Sequence, residues 1–113
     1  MEIPEPIKED IDNIGGLEEI TRIIPDGVEI ENLSRIYRSL SDPLRLRIAY
    51  MLDTQPLCVC CIKELIKISN SKLSYHLSQL REVGLIEGRQ EKNWIIYSTT
   101  PLFKEIAGRK VMK

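Results

Sequence analysis

The sequence lacks most of the features on which enzymes depend. Its 113 residues include one histidine, one tryptophan and one phenylalanine. No glycine-rich phosphate loop and no recognisable pairing of a nucleophile with a base is present, so we expect no catalytic activity. No run approaches the roughly 20 apolar residues that span a bilayer, and the acidic, proline-bearing start MEIPEPIKED is unlike a signal peptide. These absences predict a cytoplasmic protein that is not an enzyme and has no membrane segment.

The cysteines are few but close together, as Cys58, Cys60 and Cys61 in the stretch PLCVCCIKEL. An odd, clustered set in a reducing cytosol does not make a disulfide framework. Three interpretations stay open: the thiolates bind a soft ion, the thiols act as a redox switch, or the cysteines pack as small apolar side chains. On a regular helix, Cys58 and Cys60 would lie about 200° apart and could bind one ion only if the helix start unwound.

Charge is divided unevenly along the chain. Residues 1–33 carry 2 basic and 10 acidic side chains, whereas residues 34–113 carry 14 basic and 7 acidic ones. The net charge of −1 therefore hides a basic C-terminal region. Such a region indicates either a polyanionic partner or an ordinary solvated surface.

The order of predicted elements is helix, helix, helix-turn-helix, two-stranded ribbon, helix. We interpret residues 1–27 as an acidic N-terminal arm, broken by prolines and glycines around the short helical run LEEITRII. Residues 28–113 form the main domain, which is mainly α-helical with a small β-hairpin wing. Its helices are predicted at 28–41, from Pro43, at about 57–68, over KLSYHLSQLREV with cap groups offered by Ser69, Asn70 and Ser71, and at 102–112. The hairpin is formed by LIEGRQ and WIIYSTT. This order is that of a winged helix-turn-helix.

The helix after Ser69 has the features of a helix that reads double-stranded DNA. With Leu73, Leu77 and Leu80 facing inward, helical spacing places a polar set on the opposite face. No acidic residue occurs between Ser69 and Arg81, which disfavours an ordinary solvated face. The residues that we predict to contact DNA on this face are Ser71, Lys72, Tyr75 and Gln79.

Four further side chains lie outside this polar face. His76 lies at the edge of the inner stripe, where it either bonds a DNA phosphate or plays a structural role. At the tip of the hairpin, Arg89 and Lys92 are predicted to hold phosphate or to enter the minor groove. Trp94, at the start of the return strand, is predicted to lie in the core.

Four stretches carry a resemblance to a known family: LSDPLRLRI (40–48), LCVC (57–60), SKLSYHLSQLREVGLI (71–86) and WIIY (94–97). With these stretches, the sequence resembles the ArsR/SmtB family of metalloregulatory repressors over roughly residues 30–100. The resemblance implies a homodimeric winged-helix repressor that releases operator DNA when it binds a metal or metalloid. It also implies a dimer built from the helices at about 28–41 and 102–112, through apolar residues that include Leu102, Phe103, Ile106 and Val111.

The match to the family's arsenic-sensing motif C-V-C-x-x-C is incomplete. Cys58 and Cys60 match, but Lys63 occupies the third position and Cys61 is an additional thiol. The family's cadmium and lead sensors add an N-terminal cysteine, which this sequence lacks, and its zinc site on the last helix needs Asp and His pairs, where residues 102–113 offer only Glu105. Because thiolates are soft ligands that suit arsenic(III), cadmium and lead, we expect one of these as the metal or metalloid effector at Cys58, Cys60 and Cys61.

Two other functions remain possible from the sequence. One is a winged-helix repressor with a redox effector or with no thiol-based effector. The other is a winged helix used only for protein contacts.

Overall fold

The computed structural model describes residues 2–108, which form seven helices and three strands. The helices are α1 (Glu5–Asn13), α2 (Leu17–Ile23), α3 (Gly27–Leu40), α4 (Pro43–Thr54), α5 (Val59–Leu65), α6 (Asn70–Glu82) and α7 (Pro101–Ile106). The strands are β1 (Leu57–Cys58), β2 (Ile86–Glu91) and β3 (Trp94–Thr99). The chain divides into two units, residues 1–33 and residues 34–113, with the division inside α3. Within the described residues, no helix combines the length and the apolar character needed to cross a membrane.

The N-terminal unit is more helical than the sequence predicts. The predicted run LEEITRII forms α2. Helix α1 is not part of the prediction, in which Pro4 and Pro6 interrupt the chain. Pro6 lies in the first turn of α1, where a helix does not need the missing N–H group. Gly15 and Gly16 have positive φ angles and separate the two helices. Neither helix buries a residue, and the functional division at residue 27 stays a prediction.

The second unit has a single hydrophobic core. The predicted inner stripe of α6 is confirmed, since Leu73, Leu77 and Leu80 are all buried. Residues in or next to α3, α4, α5, the sheet and α7 complete the core: Leu40, Ile48, Ala49, Leu52, Ile62, Ile66, Leu85, Ile86, Tyr97 and Phe103. Because α6 shares this core with several other elements, its position is fixed by packing against them.

The start of α4 confirms the predicted cap. Asp42 Oδ1 accepts hydrogen bonds from the backbone N–H groups of Leu44 at 2.8 Å and Arg45 at 3.1 Å. The bond from the Arg45 N–H is the largest of the effects that lower the pKa of the Asp42 carboxyl below its ordinary value of 3.8. The ionised cap therefore stabilises the fold above the unfolded-state pKa, and this contribution is lost as the pH falls through the folded-state pKa.

Changing Asp42 to Asn tests this charge separately from the cap. Asparagine caps a helix about as well as aspartate, so we expect a loss of less than about 1 kcal/mol in unfolding free energy at pH 7. The difference from the wild type should shrink toward zero as the pH falls below about 4. Asp42→Ala, the control, removes the cap and should cost about 1 kcal/mol at pH 7. Urea unfolding at several pH values measures both, and a constant Asn deficit down to pH 3 would contradict this account.

The predicted helix over about 57–68 is shorter in the structure and begins later. Leu57 and Cys58 form β1, an antiparallel partner of β3, in which Leu57 lies opposite Tyr97 and Cys58 opposite Ile96. The residue before a proline is driven into extended conformation, and Gln55, which precedes Pro56, has ψ 130°. The chain therefore reaches the free edge of β3 already extended. Helix α5 then runs only from Val59 to Leu65.

The predicted hairpin is confirmed and is part of a three-stranded sheet in the order β1-β3-β2. Lys92 lies in the turn with a φ of 55°. The prediction for Trp94 is wrong: it is 54% exposed, because its strand begins beyond the edge of the core. The last helix, predicted over 102–112, ends at Ile106, while residues 109–113, including Val111, lie outside the described residues.

Candidate nucleic-acid interface and thiol cluster

The position of α6 is set by a cap at one end and by its buried face. Of the predicted cap residues Ser69, Asn70 and Ser71, the first caps the helix: Ser69 Oγ accepts a hydrogen bond from the Lys72 backbone N–H at 3.2 Å, and α6 begins at Asn70, two residues earlier than predicted. Gly84, with a φ of 81°, follows the other end, as expected for a position that favours glycine.

The polar face of α6 lies on the surface, as predicted. Ser71, Lys72 and Tyr75 are exposed and Gln79 is half-buried. These side chains offer hydroxyl, ammonium and amide groups of the kinds that bind base edges and phosphates. The structure brings them together on one face; their roles in DNA contact stay predictions.

His76 is buried and has a structural partner that sequence reasoning missed. The Arg45 guanidinium lies with Nη1 3.3 Å from His76 Nδ1 and donates from Nε to the Ser39 carbonyl oxygen at 2.8 Å. Because a guanidinium only donates, His76 Nδ1 is the acceptor in this contact. Arg45 also lies 5.9 Å from the centre of the Tyr75 ring. Burial and this bond favour a positioning role, and a direct phosphate contact by His76 stays a prediction.

The tip of the wing carries less positive charge than its basic residues alone suggest. Arg89 forms an exposed ion pair with Glu91 at 3.7 Å. The turn that holds Lys92 is braced by Gln90, whose Nε2 donates to the Lys92 carbonyl oxygen at 2.7 Å. Within the described part of the wing, no ion pair balances the positive charge of the Lys92 ammonium group.

The three cysteines converge, although they do not share a helix. Cys58 is extended, with φ −82° and ψ 165°, and precedes α5, whereas Cys60 and Cys61 lie in its first turn. All three Sγ atoms lie within 4.8 Å of one another, and those of Cys58 and Cys61 are 3.5 Å apart. The prediction that the helix must unwind before Cys58 and Cys60 can share one ion is wrong, because the extended Cys58 removes the angular separation.

Two kinds of chemistry suit this thiol cluster, which consists of Cys58, Cys60 and Cys61. Cys58 and Cys60 are paired as a disulfide, with Cα atoms 5.5 Å apart, and Cys61 is a free, exposed thiol. In the reduced protein, three thiolates in one place suit a soft, three-coordinate ion. Among the described residues no histidine or carboxylate joins the group, so the tetrahedral environment that zinc prefers is incomplete.

The thiol cluster is linked to both parts of the candidate interface. On one side, Cys58 belongs to the strand that pairs with β3 of the wing. On the other, Lys63 in α5 donates a hydrogen bond to the side chain of Asn70, the first residue of α6. A change in the cluster can therefore reach both the wing and α6 through short paths.

A helix-turn-helix of α5 and α6 followed by a β-hairpin defines a winged helix-turn-helix protein. The sequence model of the family described as "Bacterial regulatory protein, arsR family" matches residues 42–87, which contain α4 to α6 and the start of β2. This chain belongs to the ArsR family, which confirms the resemblance seen in the sequence.

Similar proteins agree with this assignment. The cadmium resistance transcriptional regulatory protein CadC homolog of Staphylococcus aureus is 34% identical over 68 residues, covering 59% of this chain and 56% of that protein. The arsenic resistance transcriptional regulator ArsR1 of Pseudomonas putida is 33% identical over 67 residues, covering 58% and 52%. The chain thus spans little more than half the length of these relatives. Both are regulators, in agreement with the expectation that this chain is not an enzyme.

A solved structure confirms the fold. The homodimeric winged helix-turn-helix DNA-binding domain Mb0332 of Mycobacterium bovis, a possible ArsR-family transcriptional regulator, is similar with a TM-score of 0.62. The match covers 72% of this chain and 82% of that domain at 21% identity.

Proposed function

We propose that this protein is a cytoplasmic, homodimeric repressor that binds operator DNA and releases it when arsenic(III), cadmium or lead binds to the thiol cluster. The observation that carries the effector half is the convergence of three Sγ atoms within 4.8 Å. The names of the cadmium and arsenic resistance regulators among its relatives support the same effector class.

The DNA-binding half rests on α6 and the wing. In a helix-turn-helix the second helix enters the major groove and its early residues reach the bases. The exposed Ser71, Lys72 and Tyr75 occupy those early positions, with Gln79 one turn later. Lys92, at the wing tip, is placed to hold a phosphate and so to fix the orientation of the protein on the duplex.

The dimer is proposed to form through α3 and α7. Helix α3 exposes large apolar side chains, among them Val28 at 72%, Ile30 at 44% and Tyr37 at 55%. Apolar side chains on one exposed helix are a common basis for association between protomers. In α7, Leu102 and Ile106 are only partly buried and can add to the same interface.

The effector is proposed to act on the geometry between β1 and α5. Cys58, Cys60 and Cys61 would hold the ion through their sulfur atoms after losing their protons, which would tie the strand to the first turn of the helix. The Lys63–Asn70 hydrogen bond would transmit a resulting shift of α5 to the start of α6, and the pairing of Cys58 with Ile96 would transmit it to the wing.

A redox effector is the second candidate, favoured by one observation, the pairing of Cys58 with Cys60. Formation of this disulfide removes two protons and two electrons from the thiols, which an oxidant of the peroxide class accepts. Cys61 takes no part in that reaction, whereas a three-thiolate site requires it.

Fluorescence anisotropy of the reduced protein on its own upstream DNA tests the proposed function. We expect binding that weakens steeply with salt, as counterions return to the DNA, and that is reversed by arsenite or cadmium. Binding that only peroxide reverses would favour the redox effector instead. Absence of DNA affinity at every salt concentration would leave a winged helix that makes protein contacts.

Substitutions on α6 and on the wing are expected to affect DNA binding differently. Gln79→Ala should lower operator affinity by about 1–3 kcal/mol and leave non-operator affinity nearly unchanged, because a lost base contact removes discrimination. Lys92→Ala, the matched comparison, should weaken binding to both DNAs equally and reduce the salt slope by about one. Anisotropy on operator and scrambled duplexes measures both. Equal losses on the two DNAs for Gln79→Ala would contradict its role in base reading.

A further inference from the structure

A positively charged cleft of about 360 Å³ lies in the second unit, away from the thiol cluster. It is formed by the end of α3, the start of α4 and the middle and end of α6. Its charged lining residues are Arg35 and Arg38 from α3, Arg45 from α4 and Glu82 from α6. The lining therefore includes three arginines and one carboxylate side chain, around a space large enough for a small molecule.

Ion pairs do not balance the arginines of this cleft. Within residues 2–108, no carboxylate lies within 4.0 Å of a guanidinium nitrogen of Arg35, Arg38 or Arg45, since the ion pairs there join other residues. The Arg38 guanidinium makes one long contact, of 3.5 Å, with Ser34 Oγ. Arg45 uses two of its five N–H donors on Ser39 and His76. Clustered guanidiniums without a counter-charge repel one another, so an anion in the cleft would be stabilised.

A second, independent observation points to a ligand that carries oxygen atoms. Ser39 also lines the cleft and is 7% exposed. Its Oγ atom is the buried side-chain polar atom that lacks a hydrogen-bond partner among the described residues. Buried hydroxyls in folded proteins nearly always have a partner, and an oxyanion held by the neighbouring guanidiniums would supply one.

We propose that this cleft binds a phosphate group. Guanidinium forks match the oxygens of phosphate in bidentate geometry, and a doubly charged group balances the excess positive charge better than a single carboxylate. The Tyr75 hydroxyl and the Gln79 amide, which line the same cleft, provide further donors.

The phosphate has two possible sources. One is a small phosphorylated molecule. The other is the DNA backbone, because Tyr75 and Gln79 also belong to the α6 face that is proposed to read DNA. The second source rests on the proposed function; the first does not.

Arg38→Gln and Arg47→Gln form the matched pair that tests the cleft. Both remove one positive charge from an exposed side chain, but Arg47 does not line the cleft. Pyrophosphate is titrated into each protein by calorimetry at constant ionic strength, and duplex DNA binding is measured over a range of salt concentrations. Circular dichroism confirms that each variant is folded.

For a small phosphorylated ligand, we expect pyrophosphate to bind the wild type and Arg47→Gln alike and Arg38→Gln about tenfold more weakly. For a DNA phosphate, we expect the salt slope of DNA binding to fall by about one in Arg38→Gln relative to Arg47→Gln. The proposal is overturned if the two variants match in both measurements. If the wild type binds no DNA, the proposed function fails while the pyrophosphate titration still decides the cleft.

Discussion

Replacing Cys58 by serine is expected to abolish release of DNA by arsenite while leaving DNA affinity within about twofold of the wild type. Cys58 is the member of the thiol cluster that is joined to both of the others, by pairing with Cys60 and by a 3.5 Å contact with Cys61. A serine hydroxyl is a poor ligand for a soft ion. Losing a group that merely supports a ligand costs 10–100-fold in metal affinity, so losing the ligand should cost about hundredfold or more. Anisotropy of preformed protein–DNA complexes during an arsenite titration measures this.

Cys61→Ser is the variant that separates the two candidate effectors. A three-thiolate site predicts loss of the arsenite response with Cys61→Ser as well, whereas a Cys58–Cys60 switch predicts an unchanged response to peroxide. Retention of full arsenite sensitivity by Cys58→Ser would show that the cluster does not bind the effector. Binding of DNA by all the reduced variants is the control that their folds are intact.

Replacing Lys104 by methionine is expected to lower the free energy of unfolding by about 3 kcal/mol. The Asp53 side chain is 2% exposed, and its Oδ1 accepts hydrogen bonds from Lys104 Nζ at 2.8 Å and from Thr99 Oγ1 at 3.1 Å. Methionine keeps much of the apolar stem of lysine but removes the cation. The buried carboxylate then loses the cation at 2.8 Å, which helps to compensate its desolvation. Urea unfolding followed by circular dichroism measures the cost.

Lys67→Met is the matched control for this substitution. Lys67 also pairs with a carboxylate, Glu64 at 3.8 Å, but both side chains are at least 80% exposed. Exposed ion pairs contribute little, so this variant should stay within about 0.5 kcal/mol of the wild type. Similar losses in the two variants would mean that the burial of Asp53 does not determine the energy of its pair with Lys104.

Elements defined by neighbouring residues could be predicted from the sequence. Helix α4 begins where Asp42 and Pro43 provide a cap and a fixed first turn. Helix α6 begins after Ser69 and buries the leucines at the expected spacing. The same leucine spacing predicts which face of α6 is exposed. The candidate DNA contacts are the polar residues on that face. In each case the determining interactions span only a few positions along the chain.

Features that depend on distant residues could not be predicted in this way. Strand β1 exists because Leu57 and Cys58 meet the edge of β3, and no pattern within so short a stretch indicates a strand. The prediction that the helix start must unwind is wrong for the same reason. The separation of about 200° between Cys58 and Cys60 holds only if both lie on one helix, and Cys58 lies in β1. The bond between Arg45 and His76, 31 positions apart, and that between Asp53 and Lys104, 51 positions apart, likewise become visible only in the folded chain.

The strand pairing of Cys58 has a consequence for heat resistance. Main-chain pairing with Ile96 holds one of the three sulfur-bearing residues in place in the native protein, so the native state presents the three sulfurs in a more fixed arrangement than the unfolded chain. A ligand that prefers the native state raises the free energy of unfolding by at most RT ln(1 + [L]/Kd), about 2.7 kcal/mol at a hundred times Kd. Under the proposed function, the ion that loosens the hold of the protein on its operator also raises the temperature at which the protein melts.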